Sequence, residues 1–379
     1  MSGAAQGPAP VLVFYVSSHG FGHASRVIEV INEIGVRRPD ARLIIRTAAA
    51  RWLFDVTLRV PADVLPLDTD TGVVQQDSLH LDLRGTIEAT RTFYRTFGAR
   101  ADDEAAFLRA RGARLVVADM PPLAFEAAAR AGVPSVAMGN FTWDWIYEAY
   151  PELVREAPDV LPAIRAAHAS VGTALRLPMW GGFAGWTCPI EDIPFVARHS
   201  TRHPEAVRAH LAAPPGTRLV LASFGGLGIA SLDLTALEGL RDYTIVTTGH
   251  ALGFAGTVPT NVRLLGDRDI YQAGLRYEDL VHAADAVVTK PGYGIIAECV
   301  ANGTALLYTS RGRFAEYEIL VDTMPRFLRC GFIDHDDLYQ GRWADHVERL
   351  LAQPAPSDHP RTDGAAVAAE RILTLAFGT

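Results

Sequence analysis

A six-residue apolar and aromatic run, Val11–Val16, leads directly into a glycine-rich turn. Apolar residues at helical spacing follow it: Val27, Ile28, Ile31 and Ile34. A run with no polar alternation suits a strand covered on both faces. Parallel sheets flanked by helices provide that cover. The pattern recurs. Strands are expected at Arg42–Thr47, Val64–Leu67, Arg114–Ala118 and Pro134–Met138. Helical segments are expected at Ala24–Ile34, Thr86–Arg111 and Leu123–Ala131, the last stopped by Gly132. This alternation predicts a parallel, doubly wound α/β sheet.

The alternation breaks at Leu177–Ile190, where Pro178, Gly181, Gly182, Gly185 and Pro189 read as loop. A domain boundary is expected after it, near Ala197–Pro204. Beyond it the pattern restarts, with strands at Leu219–Ser223, Thr244–Thr247, Val262–Leu265, Ala286–Thr289 and Ala305–Thr309. Helices are expected at Gly294–Ala301, Phe314–Leu328, Trp343–Leu351 and Ala365–Ala376. The expected domains are therefore 1–200 and 201–360, with a C-terminal helix at 361–379 packing back on the first. Two tandem doubly wound units would bind ligand at the carboxyl ends of strands, facing a central cleft.

Composition excludes several classes. The chain has 379 residues, 49% hydrophobic and 21% charged, with a net charge of −8, which fits two globular cores and no nucleic-acid binding through bulk charge. No stretch approaches a membrane span and no signal-peptide pattern opens the chain, so the expectation is a cytoplasmic protein without integral membrane contact. Cys188, Cys299 and Cys330 form no CxxC and read as buried reduced thiols. Lys290 is the only lysine, in a chain whose other basic side chains are arginine. An ammonium retained there hints at a specific use.

Five motifs carry potential chemistry. His19-Gly20-Phe21-Gly22-His23 follows the first strand, and its glycines permit a tight turn before a helix N-terminus. Ser25 stands where a dinucleotide fingerprint needs its third glycine. His19 and His23 are four apart, but the glycines between them argue against the helical zinc pair, and no metal is expected. The positive end of the helix dipole favours a neutral imidazole at His23, which makes it a candidate base; a loop or cap role is the alternative. Asp119 closes a later strand on the same sheet edge and is placed to orient His23, or else to cap the next helix. Asn140-Phe141-Thr142-Trp143-Asp144-Trp145 offers aromatic faces for an acceptor, or a hydrophobic plug. Ser223-Phe224-Gly225-Gly226 and Lys290-Pro291-Gly292-Tyr293-Gly294 are two glycine turns suited to a diphosphate. Glu298, one turn into the following helix, suits ribose hydroxyls; Glu316 begins another helix, where an acidic residue also serves the dipole.

In order and spacing these motifs resemble the nucleotide-sugar glycosyltransferases of the GT-B architecture, and within them the glycosyltransferase-like N-terminal domain of plant L-arabinokinases. The resemblance rests on residues 19–26, 140–147, 224–226 and 290–298, and runs across nearly the whole chain. The kinase half, with its Gly- and Ser-rich ATP loop, has no counterpart here. The resemblance implies an inverting, metal-independent transfer from a nucleotide-diphosphate sugar, UDP by default, with no resident cofactor. It assigns His23 as general base and Asp119 as its partner. It implies donor contacts from Gly22, Gly225, Gly226, Lys290, Gly292, Tyr293, Gly294, Glu298 and Glu316. A small-molecule or glycan acceptor is expected near His19, Phe21, Asn140, Trp143 and Asp144. Two departures stand out: Glu316-Tyr317 replaces an acidic-Gln pair, and Lys290 replaces a His or Arg. A non-catalytic nucleotide-sugar sensor or scaffold and a nucleotide-sugar epimerase are the alternatives.

Overall fold

A computed structural model describes residues 9–225, 232–248 and 257–378. The chain divides into two compact units. One comprises residues up to Val74, Leu83–Val196 and Asp363 onward; the other comprises Gln75–Asp82 and Ala197–Thr362.

The first unit contains seven strands: β1 (Val11–Val16), β2 (Arg42–Thr47), β3 (Asp63–Pro66), β4 (Ala113–Asp119), β5 (Ser135–Phe141), β6 (Thr173–Gly181) and β7 (Ile190–Asp192). They pair in the order β3-β2-β1-β4-β5-β6-β7, every neighbour parallel. β1 is buried along its entire length, as a central parallel strand with helices on both faces must be. The direction of strand succession reverses between β1 and β4. In open α/β sheets that switch point is where loops diverge and ligands bind.

The second unit contains β8 (Arg218–Ala222), β9 (Tyr243–Thr248), β10 (Val262–Leu265), β11 (Ala286–Thr289), β12 (Ala305–Tyr308) and β13 (Cys330–Phe332). Their order is β10-β9-β8-β11-β12-β13, again all parallel. Here the switch point lies between β8 and β11. Both sheets thus have the α/β doubly wound order expected from the sequence.

Several local expectations are corrected. The segment Thr86–Arg111 is two helices, Leu83–Arg95 and Phe97–Arg111, because the chain leaves helical geometry at Thr96. Three strands carry no expectation from the sequence: β6, whose residues 177–181 read as loop, and the short edge strands β7 and β13. Pro178 is tolerated because the β5–β6 ladder is interrupted there, the register shifting between Gly139 and Phe141. Phe314–Leu328 shortens to a helix at Tyr317–Thr323 and a 3-10 turn at Met324–Arg326 containing Pro325. Residues 75–82 pack with the second unit although their flanks belong to the first. Leu79 enters that unit's core, and the Ser78 hydroxyl donates to the Phe224 carbonyl. The last helix, Gly364–Phe377, packs on helix Phe21–Arg37 within the first unit. Only Cys299 is buried; Cys188 and Cys330 are half-buried, and all three are free thiols. Among the described residues, no helix is long and apolar enough to cross a membrane.

Candidate functional site

The β1–β4 switch point gathers a buried polar cluster. Gly20 precedes the first helix at φ 76°, a left-handed conformation that favours glycine, and lets the chain turn straight from β1 into Phe21–Arg37. The helix begins three residues earlier than the sequence suggests, so Gly22 and His23 lie in its first turn. Gly22 is exposed, with open space where a side chain would be. Asp119 is the last residue of β4, in register with Val16. It does not cap the following helix, whose N-cap is Pro121. Its carboxylate is buried instead, with Oδ1 3.0 Å from Nδ1 of His23.

A third residue joins them that the sequence reading passed over. Arg26, one turn beyond His23 and 6% exposed, directs Nε to Asp119 Oδ2 at 2.5 Å and Nη2 to Oδ1 at 2.5 Å. Its Nη1 donates to Asn140 Oδ1 at 2.7 Å, and Nη2 lies 3.1 Å from His23 Nδ1. Burial raises the Asp119 carboxyl, but the Arg26 guanidinium and then His23 outweigh it and hold Asp119 below its ordinary value. Arg26 stands inside the His19–Arg26 motif; an arginine at helical spacing from a candidate base was the available signal. Asn140, expected near an acceptor, contacts Arg26.

Asp70, in the loop after β3, is a second buried carboxylate. It accepts from Ser17 Oγ at 3.1 Å and from Trp143 Nε1 at 3.1 Å. Burial pushes it up to about 6, partly offset by Ser17, His23 and Trp143. His19 packs edge-on against Trp143, and its ring approaches Gly72 so closely that a Cβ there would lie 2.7 Å from Nδ1. Trp143 is 1% exposed and surrounded by Phe141, Tyr147 and His19, so it is a plug rather than an open stacking face. Phe21 is half-buried against Trp52. Asp144 turns to another helix, Val160–His168, where it meets His168 at 3.2 Å and Arg165 at 3.4 Å. Burial opposes its ionisation, yet His168, with Thr142 and Arg165, lowers it to about 2. Beside Asp70 opens a cavity of about 310 Å³ lined by Asp68, Thr71, Glu88, Phe93 and Arg100, which no sequence motif marked.

The second unit's switch point holds its own cluster. Gly225 follows β8 at φ 75°; Gly226 lies outside the described residues. Ser223 takes a hydrogen bond from Tyr277 at 2.8 Å and shares one with Thr248 at 2.9 Å. After β11 come Lys290 and Gly292, the N-cap of helix Tyr293–Asn302, with no side chain capping that terminus. Gly294 lies in its first turn and Tyr293 is buried. Burial, then the Arg311 charge, drives Lys290 well below its ordinary value, Glu316 opposing. Glu298, expected to meet ribose, pairs through Oε1 with Arg198 Nε at 2.6 Å, and Glu278 flanks the same guanidinium at 3.7 Å. Arg198 carried no sequence signal, because it lies 100 residues away in the chain. Among the described residues, no three His, Cys, Asp or Glu side chains gather as a metal-ligand set.

No protein-family profile matches the chain. It is 27% identical over 376 residues to the L-arabinokinase of Arabidopsis thaliana, covering 97% of this chain and 34% of that protein. The chain thus spans about a third of that relative's length. Among solved structures, CalG4, the calicheamicin glycosyltransferase, superposes with a TM-score of 0.60 at 14% identity, covering 97% of this chain and 94% of that one. UGT2 of Phytolacca americana, solved with UDP-2-fluoro-glucose and pterostilbene, gives 0.59 at 12% identity, covering 97% and 94%. With its two parallel, doubly wound sheets, the chain has the fold of the GT-B glycosyltransferases.

Proposed function

We propose that the protein is an inverting glycosyltransferase that moves a sugar from a nucleotide-diphosphate sugar, with UDP as the first candidate, to an acceptor hydroxyl. The observation that carries the reading is the buried His23–Asp119 contact at the β1–β4 switch point. With its Nδ1–H donating to Asp119, His23 offers Nε2 to the acceptor O–H. The acceptor oxygen attacks the anomeric carbon as that proton is taken. The bond to the diphosphate breaks, and its electron pair leaves with the nucleotide. Base assistance of this kind contributes roughly 10²–10⁴-fold.

The second unit supplies the donor cradle in this reading. The N–H groups opening helix Tyr293–Asn302, with Lys290 and Arg311, offset the leaving diphosphate, and no metal or resident cofactor is invoked. Glu298 meets the ribose by exchanging part of its pairing with Arg198. Glu316 and Tyr293 complete the donor contacts. The cavity beside Asp70 receives the acceptor, and Asp70 links it electrostatically to His23. UDP-linked donor binding draws support from the ligand named for the Phytolacca structure.

A sensor that binds a sugar nucleotide without turnover is the second reading. It is favoured by one observation: Arg26 Nη2 is 3.1 Å from His23 Nδ1, and accepting that bond would put the ring proton on Nε2 and disable the base. Calorimetric titration with UDP, GDP, dTDP and ADP, repeated on Glu298→Ala, tests the donor site shared by both readings. Saturable binding of one diphosphate, weakened by the substitution, is expected; no binding to any of the four overturns both. Donor turnover by the wild type and its loss in His23→Ala then separate transferase from sensor.

A further inference from the structure

The Arg26 guanidinium is tied at three corners. Nε and Nη2 form a two-pronged contact with both oxygens of Asp119, and Nη1 donates to Asn140. Such forks are rigid, because the guanidinium is planar and its donors are fixed in that plane. The carboxylate plane of Asp119 is thereby set from a neighbouring helix turn and from β5. Around His23 stand Arg26 from its own helix, Asp119 from the end of β4, the Phe141 ring from β5, and Asp70 from the loop after β3.

Two proton arrangements compete at Nδ1. It lies 3.0 Å from an anionic acceptor, Asp119 Oδ1, and 3.1 Å from a cationic donor, Arg26 Nη2. If Nδ1 carries the proton, it donates to Oδ1 and Nε2 is basic. If Nδ1 is bare, it accepts from Arg26 and Nε2 carries the proton. Nη2 already donates to Oδ1 at 2.5 Å, and a charge-assisted bond to carboxylate is stronger than one to neutral imidazole. The first arrangement therefore prevails while the fork holds.

We infer that Arg26 is a positioning residue for His23: its fork fixes Asp119 so that Oδ1 accepts a hydrogen bond from Nδ1–H and leaves Nε2 as the basic nitrogen. This rests on the general-base reading above, but its test needs no substrate. The full chain, labelled with ¹⁵N-histidine, is examined by NMR at a pH where the imidazoles are neutral, with the His23 resonances assigned by their loss in His23→Asn. The wild type should show His23 protonated at Nδ1. Arg26→Gln, which lacks the fork and the charge, and Arg26→Lys, which keeps only the charge, both release the Asp119 carboxylate to rotate Oδ1 away from Nδ1, and should show a mixture containing Nε2–H. Asp119→Asn should convert His23 to Nε2–H, because Arg26 then takes Nδ1. A wild type protonated at Nε2, or an unchanged Nδ1–H signal in folded Arg26→Gln, overturns the inference. If Arg26→Gln does not fold, Asn140→Ala serves instead. It frees one corner of the guanidinium without unpairing a charge and should introduce a measurable Nε2–H fraction, and an unchanged tautomer there also overturns the inference. Absence of donor turnover beside an intact Nδ1–H tautomer would defeat the transferase reading and leave this one standing.

Discussion

His23 and Asp119 stand 96 residues apart in sequence and 3.0 Å apart in space, with side chains 7% and 0% exposed. A buried imidazole held by a buried carboxylate has its orientation fixed before any substrate arrives. His23→Ala should therefore reduce sugar transfer by roughly 10²–10⁴-fold while nucleotide affinity changes little. Single-turnover transfer and calorimetric binding on the same preparation check this. Parallel loss of both would make His23 a donor-binding or structural residue.

Asp70 gives a stability signature. Its carboxyl is raised by burial from 3.8 to about 6 in the folded protein, so folding favours the protonated form. The unfolded chain ionises first as pH rises. Stability should fall between pH 4 and 6 and level off above, with a total penalty of about 3 kcal/mol for this shift. Asp70→Asn lacks that term, so its stability relative to wild type should rise across the window. Urea unfolding of both proteins at several pH values measures it. Asp119, shifted the other way, acts below that window and does not mask it.

Asp144 has the opposite sign. Paired with His168, it is held at about 2 against an ordinary 3.8, and contributes stability above pH 4 that is lost as pH falls toward 2. That shift corresponds to about 2 kcal/mol. Asp144→Ala should lower the urea midpoint at pH 7 and leave nucleotide binding intact. A variant of wild-type stability with impaired acceptor use would instead return Asp144 to the acceptor site.

Lys290 should couple nucleotide binding to protons. Burial and the neighbouring Arg311 favour its neutral amine, and an arriving diphosphate favours the ammonium. Binding should then take up protons and weaken as pH rises. The observed binding heat should differ between buffers of different ionisation enthalpy, and the difference should vanish in Lys290→Ala. Equal heats in the wild type would show that Lys290 does not take up a proton on binding.

The alternation of apolar runs and helical spacing by itself marked the parallel, doubly wound class and every strand but β6, β7 and β13, because a strand covered on two faces leaves a local pattern of residue types. The same logic located the glycine turns at Gly20 and Gly225, where a left-handed backbone favours glycine. It failed at Pro178, whose place in β6 depends on an interrupted ladder with β5, a partner tens of residues away. His23 and Asp119 were legible as residues on one sheet edge, since parallel strands end together. Tertiary structure alone decided what they touch. Arg26 joins them because a helix turn brings its guanidinium over the end of β4. Glu298 meets Arg198, and Asp144 meets His168, through packing between distant segments. Sequence records the local cost of each conformation. Charge pairing in a buried site depends on which neighbours replace water, and those neighbours exist only once the chain has folded.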